Sequence, residues 1–303
     1  MGNTGTSESL LDPGLLRRLE QFQLMARRRA RSGLKGERRS RARGQSVEFA
    51  DYRNYSSGDD FRYIDWNLYG RLDRLFLKLY EEERELPLTV FLDVSESMNF
   101  GQPRKVDLAK QLAAGLGHVA LSGFDRASVR CFPEGVIDGA LAQQLASVRG
   151  KSSMMNFLRF LSGIKAKGPA DFNRSLIEAA RPARQGGIAM VVSDFLDPAG
   201  YEKGMTTLVA RGFEVHAVQI LAPEEVNPTH FGDLRLVDSE SGAVQEVTFG
   251  RFRLEAYQAT VAAYCQKLRE FCAGRGVGFS SVRSDVSLDQ LLLRQLREME
   301  VFG

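Results

Sequence analysis

Leu88-Thr89-Val90-Phe91-Leu92-Asp93-Val94-Ser95-Glu96-Ser97 is the stretch on which the fold turns. Its first five residues are apolar or β-branched and too few for a helix, so they form a buried strand. A carboxylate and two hydroxyls follow at alternate positions, Asp93, Ser95 and Ser97. A strand that delivers these groups into a tight turn presents hard oxygen ligands, the kind preferred by Mg²⁺ or Mn²⁺. Open α/β sheets also place their ligand sites at strand carboxyl ends. The plainer reading of the same residues is a polar turn leaving a strand.

Outward from this strand the pattern alternates. Strands are expected at residues 75–80, 87–93, 128–132, 187–193, 214–221 and 277–282. Helices are expected at 106–121, 154–164, 172–180, 201–211, 251–273 and 288–299, with a hairpin around Glu240-Ser241-Gly242. Apolar strands separated by helices predict a doubly wound, mostly parallel sheet covered on both faces. Met190-Val191-Val192-Ser193-Asp194 is a second buried strand ending in an acid. Adjacent strands of such a sheet end on the same edge, so Asp194 is expected near Asp93, Ser95 and Ser97. Carboxylates gathered at one point repel unless a proton or a cation joins them.

The N-terminal third is organised differently. Residues 13–25 carry a helical stripe of Leu15, Leu16, Leu19, Phe22 and Leu24. Between Arg17 and Arg43 there are eleven Lys or Arg and two Glu, a local charge of +9. The whole chain of 303 residues carries +3, which leaves −6 for the rest. Such a basic stretch suits nucleic acid, an anionic membrane or an acidic partner, or it can pack on the acidic run around Glu81 to Glu85. One aromatic, Phe22, is too few for a single-strand stacking platform. Residues 49–69 are dense in aromatics without a clean period, and Ser56-Ser57-Gly58-Asp59 marks a turn. Three parts are therefore expected: a basic helix and arm at 1–34, an aromatic segment at 35–85 packed on the main domain, and the α/β domain at 86–303. No apolar run approaches the roughly 20 residues of a membrane helix. Cys131, Cys265 and Cys272 form neither a CxxC nor a disulfide framework, which reads as a cytoplasmic protein with reduced thiols.

Asp-x-Ser-x-Ser after a first strand, with an Asp after a later central strand, resembles the metal-ion-dependent adhesion site of von Willebrand factor A domains. The upstream residues Arg39-Ser40, Glu48-Phe49, Arg53-x-Tyr55-x-x-Gly58-Asp59-Asp60-x-Arg62-x-Ile64-Asp65-Trp66 and Glu83-Arg84 resemble the signature of the domain of unknown function 58 family. The resemblance covers about residues 35 to 200. It implies a von Willebrand factor A-like domain in which Ser95 and Ser97 ligate Mg²⁺ or Mn²⁺ through their hydroxyls. Asp93 and Asp194 would act directly or through water, leaving one position for an acidic residue of a partner. The resemblance further implies a non-enzymatic interaction module working with a MoxR-type AAA+ ATPase in the assembly or maturation of other proteins. One departure stands out: Gly168-Pro169-Ala170-Asp171 carries Ala170 where a threonine hydroxyl is expected. Asp171 then has two open roles, ligand or helix cap. In the aromatic segment, Asp60 or Asp65 is expected to pair with Arg53 or Arg62, and Trp66 to anchor on the core, or else the segment is a docking surface.

Other chemistry is poorly supported. Gly150-Lys151-Ser152 lacks the first glycine of a phosphate loop, since Leu145 stands there, and no strand is expected before it. The glycines at 274–278 follow a helix and precede a strand, the wrong order for a dinucleotide turn. No Gly-x-Ser-x-Gly elbow is present. His118, His216 and His230 lack metal-ligand spacing. The rival functions are a metal-dependent hydrolase built on Asp93 and Asp194, and a basic arm that binds nucleic acid or anionic membrane.

Overall fold

The computed structural model describes residues 10–22, 47–82, 86–133, 144–168, 171–183, 186–228, 232–237 and 244–295, with 297, 299 and 301. The chain divides into two compact units, Met1–Gly33 with Leu86–Gly303, and Leu34–Glu85.

The larger unit is a mixed α/β body around a six-stranded sheet. In chain order its strands are β3 (Leu88–Asp93), β4 (Arg126–Phe132), β5 (Gln144–Arg149), β6 (Ile188–Ser193), β7 (Glu214–Leu221) and β10 (Gly278–Arg283). They lie in the order β10-β7-β6-β3-β4-β5, all parallel except that β5 runs antiparallel to β4. The chain begins the sheet in the middle with β3, builds outward to β5, then returns to lay β6 on the other flank of β3. The reversal between β3 and β6 is the topological switch point, where a crevice opens at the carboxyl ends of the strands.

Side chains along each central strand alternate between two cores, as the pleat requires. Leu88, Val90 and Leu92 with Ile188, Met190 and Val192 face one layer, formed by α1 (Pro13–Leu19), α3 (Lys105–Ser122), α4 (Met154–Gly163) and the C-terminal leucines. Phe91, Ala189 and Val191 face the other, formed by α5 (Phe172–Ala180), α6 (Glu202–Ala210) and α8 (Arg251–Gly274). Burial on both faces accounts for the near-continuous apolar runs of β3 and β6. Gly187, just before β6, has φ +88°, and a Cβ there would meet the Pro87 carbonyl oxygen at 2.3 Å. That approach lets Ile188 N–H donate to Pro87 O at 2.9 Å and starts the β3–β6 pairing.

Several expectations need correction. The N-terminal helix spans only Pro13–Leu19, capped by the Asp12 carboxylate, and turns at residues 20–21, short of the expected 25. Leu11, just before the cap, and the helical Leu15 and Leu19 are buried in the core of the larger unit. Beyond Phe22, the basic stretch to Arg43 lies outside the described residues, as do Arg39-Ser40 and Glu83-Arg84. A strand does precede Gly150: β5 escaped notice because it is a half-exposed edge of mixed Gln, Ala and Ser character. The expected closing helix is instead a short α9 (Leu288–Gln290) followed by a wider π turn at Leu291–Gln295. Three consecutive leucines cannot share one face of a 3.6-residue helix, and the wider turn buries both Leu291 and Leu292. The hairpin forms as β8 (Gly232–Val237) and β9 (Val244–Phe249).

In the smaller unit, β1 (Val47–Asn54) pairs antiparallel with β2 (Phe76–Glu82), and α2 (Trp66–Leu72) lies between them in sequence. A bulge between Phe49 and Asp51 breaks the alternation of β1, which is why no period was visible. Arg62 pairs with Asp60, whereas Arg53 pairs with Asp59 at 2.8 Å. Asp65 caps α2 and accepts from the Tyr52 hydroxyl at 3.0 Å. Trp66 does not anchor a core: it is 62% exposed and meets Tyr69 edge-on.

Gly187→Ala combines a left-handed backbone with a clash against a carbonyl that cannot yield, and is expected to cost about 1–3 kcal/mol. Urea unfolding followed by circular dichroism measures that loss.

Candidate functional site

The crevice at the β3–β6 switch point gathers the residues singled out from the sequence. β3 ends on Asp93, and the turn that follows is held on both sides. Val94 N–H donates to Phe132 O and Lys167 N–H to Val94 O, each at 2.7 Å, while Glu96 N–H donates to Gly168 O at 2.9 Å. A 3₁₀ turn over Glu96–Asn99 then carries Ser97 back over the strand end. Ser95 Oγ lies 3.0 Å from Ser97 Oγ, and Ser97 Oγ donates to Asp194 Oδ2 at 2.8 Å. The structure therefore brings Ser95, Ser97 and Asp194 into one contiguous oxygen cluster.

Asp93 stands behind this cluster. Its Oδ1 accepts from Ser95 N–H at 2.9 Å and its Oδ2 from the Ser193 hydroxyl at 2.5 Å. Ser193 Oγ in turn accepts from Phe195 N–H at 2.9 Å, so the last residue of β6 ties the two acid-bearing turns together. Burial, reinforced by the negative charge of Asp194, pushes the Asp93 carboxyl well above the ordinary carboxylate range. Phe195 adopts φ +57°, a left-handed conformation that is costly for a bulky residue and marks a constrained loop. Its ring is buried against Phe172 and Tyr201, and its carbonyl accepts from the Tyr264 hydroxyl at 2.5 Å.

Three participants were missed in the sequence: Ser193, Lys105 and Glu225. Lys105, fully buried at the first position of α3, donates to Asp194 Oδ2 at 2.7 Å and to Glu225 Oε1 at 2.5 Å. Glu225 belongs to a short helix, α7 (Pro223–Val226), after β7, and its other oxygen accepts from Ala222 N–H at 2.7 Å. Burial opposes the Lys105 charge, but Asp194 and Glu225 outweigh it and hold its pKa above the ordinary value. Burial also raises Glu225, partly offset by Lys105. A signal for Lys105 did exist: a cation in the first turn of a helix opposes the macrodipole and calls for a compensating anion.

Among the described residues no group of three His, Cys, Asp or Glu side chains forms a metal cluster. The oxygens that a hard cation could use are hydroxyls as well as carboxylates. In an Mg²⁺ octahedron with bonds of about 2.1 Å, adjacent ligand oxygens sit about 3.0 Å apart. The Ser95–Ser97 separation of 3.0 Å and the Ser97–Asp194 separation of 2.8 Å fit that edge. Charge fits as well: with Asp93 ionised, as a bound cation would favour, Asp93, Asp194 and Glu225 against Lys105 leave two negative charges, which one divalent cation would close. Ala170 lies outside the described residues. Asp171 acts as a helix cap, its carboxylate accepting from Arg174 N–H at 3.1 Å.

Ser193→Ala removes a buried donor from Asp93 and is expected to cost about 1–3 kcal/mol in urea unfolding. A carboxyl whose pKa is raised on folding favours the folded state most below the ordinary carboxylate range. Asp93 therefore lends stability at low pH that declines as pH rises toward neutrality. Asp93→Asn, neutral throughout, is expected to flatten that decline in melting temperatures measured from pH 4 to 8 without added metal.

The family described as "Protein of unknown function DUF58" matches residues 51–266. The uncharacterized protein Rv1480 of Mycobacterium tuberculosis is 28% identical over 280 residues, covering 90% of this chain and 86% of the relative. Mb1516 of Mycobacterium bovis matches to the same extent. Among solved structures, the conserved hypothetical protein BatB from Bacteroides thetaiotaomicron aligns at a TM-score of 0.41 and 16% identity, over 71% of this chain and 98% of that one. No helix among the described residues is long and apolar enough to cross a membrane. The family match spans well over half of the chain, and the protein belongs to the DUF58 family.

Proposed function

We propose that this chain is a non-enzymatic, divalent-ion-assisted interaction module of von Willebrand factor A type. In this reading Ser95, Ser97 and Asp194 hold Mg²⁺ or Mn²⁺, and Asp93 braces them from behind. The observation that carries the reading is the convergence of two hydroxyls and a carboxylate at octahedral-edge spacing on the switch-point crevice. The ion would supply a fixed positive charge with an open position, to which a carboxylate of another protein can bind.

The surroundings suit protein docking. Phe100 and Leu196, in the loops that follow Ser97 and Asp194, are 50% and 38% exposed. Beside them a cavity of about 340 Å³ is lined by Leu196, Pro198, Tyr257, Val261 and Tyr264 among others. Exposed apolar side chains beside the site offer surface that a partner can bury around the contact. A hydrolase reading has less support, because among the described residues the site oxygens meet hydroxyls, backbone amides and a doubly paired lysine. The family resemblance implies the partner, a MoxR-type AAA+ ATPase, and with it a role in assembling or maturing other proteins.

The test is a pull-down from source lysate in Mg²⁺ and again in EDTA, with wild type and Ser97→Ala. An AAA+ ATPase retained only by wild type in Mg²⁺ is the expected result, with recovery falling about tenfold or more otherwise, the equivalent of one lost ligand interaction. The same ATPase recovered irrespective of ion and variant overturns the ion-assisted mode. Nucleic acid enriched in place of protein favours the basic stretch at residues 17–43 as the binding element.

A further inference from the structure

The least expected group in the crevice is the Lys105 ammonium. It is completely enclosed, and it shares Asp194 Oδ2 with the Ser97 hydroxyl. A cation bound between Ser95, Ser97 and Asp194 would draw on the oxygen that Lys105 already neutralises. The second lysine contact is to Glu225, which is held in place by Ala222 N–H.

We infer that Lys105 is a specificity-determining residue of the ion site, a built-in counter-cation that competes with the divalent ion for Asp194. This rests on the ion-site reading above. Glu225 sets the strength of that competition, because it shares the lysine charge: the more Lys105 is drawn to Glu225, the more of Asp194 is left for the ion. With Asp93 ionised the cluster carries two net negative charges, matched to a single divalent ion bound weakly enough for a partner carboxylate to contribute. A site with the three carboxylates alone would hold its ion more tightly and with less need of a partner.

The two residues act in opposite directions, which separates this role from mere structural support. Lys105→Gln removes the competitor, and Mn²⁺ affinity is expected to rise about tenfold or more. Unit charges a few ångströms apart interact strongly enough at the effective dielectric of a protein to account for such a shift. Glu225→Gln keeps an acceptor for Ala222 N–H but releases Lys105 wholly to Asp194, so Mn²⁺ affinity is expected to fall several-fold. Damage to the fold alone would weaken binding in both.

The measurement is Mn²⁺ titration of the full chain, read by loss of the free-ion electron paramagnetic resonance signal, with circular dichroism to confirm folding. Opposite shifts in the two variants support the competition. Equal Mn²⁺ affinity in wild type and both variants overturns it while leaving the ion site intact. No Mn²⁺ binding by any of the three overturns both. Should Lys105→Gln fail to fold, Lys105→Met takes its place: tighter binding supports the inference, and unchanged or weaker binding overturns it.

Discussion

Parallel pairing of β3 with β6 is the constraint on which the rest depends. The register sets Leu88 against Ile188 and Leu92 against Val192, so the next residues outward, Asp93 and Ser193, meet across the strand ends. Neither strand is adjacent to the other in sequence; β4, β5 and three helices come between. The sheet nevertheless brings them together, because β6 returns to the free flank of the central strand that comes first in the chain. A one-residue slip would reverse every side chain between the two cores and carry Asp93 away from its hydroxyl partner. The apolar alternation that fills both cores thereby also aligns the polar site.

Burying charge at that edge demands compensation, and the molecule meets the demand with several groups. Asp93 is satisfied by a hydroxyl and a backbone amide, Asp194 by a hydroxyl and an ammonium, and Glu225 by the same ammonium and a turn amide. Such a network contributes more to a defined geometry than to net stability, since desolvation offsets much of the Coulomb attraction. It also draws four separate segments, the ends of β3, β6 and β7 and the start of α3, toward one point.

Legibility in the sequence tracked the strength of local signals. The helix at Phe172–Ala180 and the strand at Glu214–Leu221 were readable to the residue, because caps and apolar runs delimit them sharply. β1 and β5 were not: one is interrupted by a bulge, and the other is a polar-leaning edge whose pairing partner, not its own pattern, makes it a strand. The π turn at Leu291–Gln295 was likewise invisible, since it answers to the burial of two neighbouring leucines against α3.

For the site, Asp93, Ser95, Ser97 and Asp194 were all accessible from sequence, because each follows directly on a recognisable buried strand. By itself the sequence determined the layered α/β class, the carboxyl-end location of the acids and the kinds of oxygen they offer. Only the tertiary structure decided what neutralises them. Lys105 reaches Asp194 from 89 residues away in sequence, and Glu225 reaches Lys105 from 120 residues away. Their meeting depends on strand order and on how α3 and the turn after β7 pack, and no local period encodes that distance.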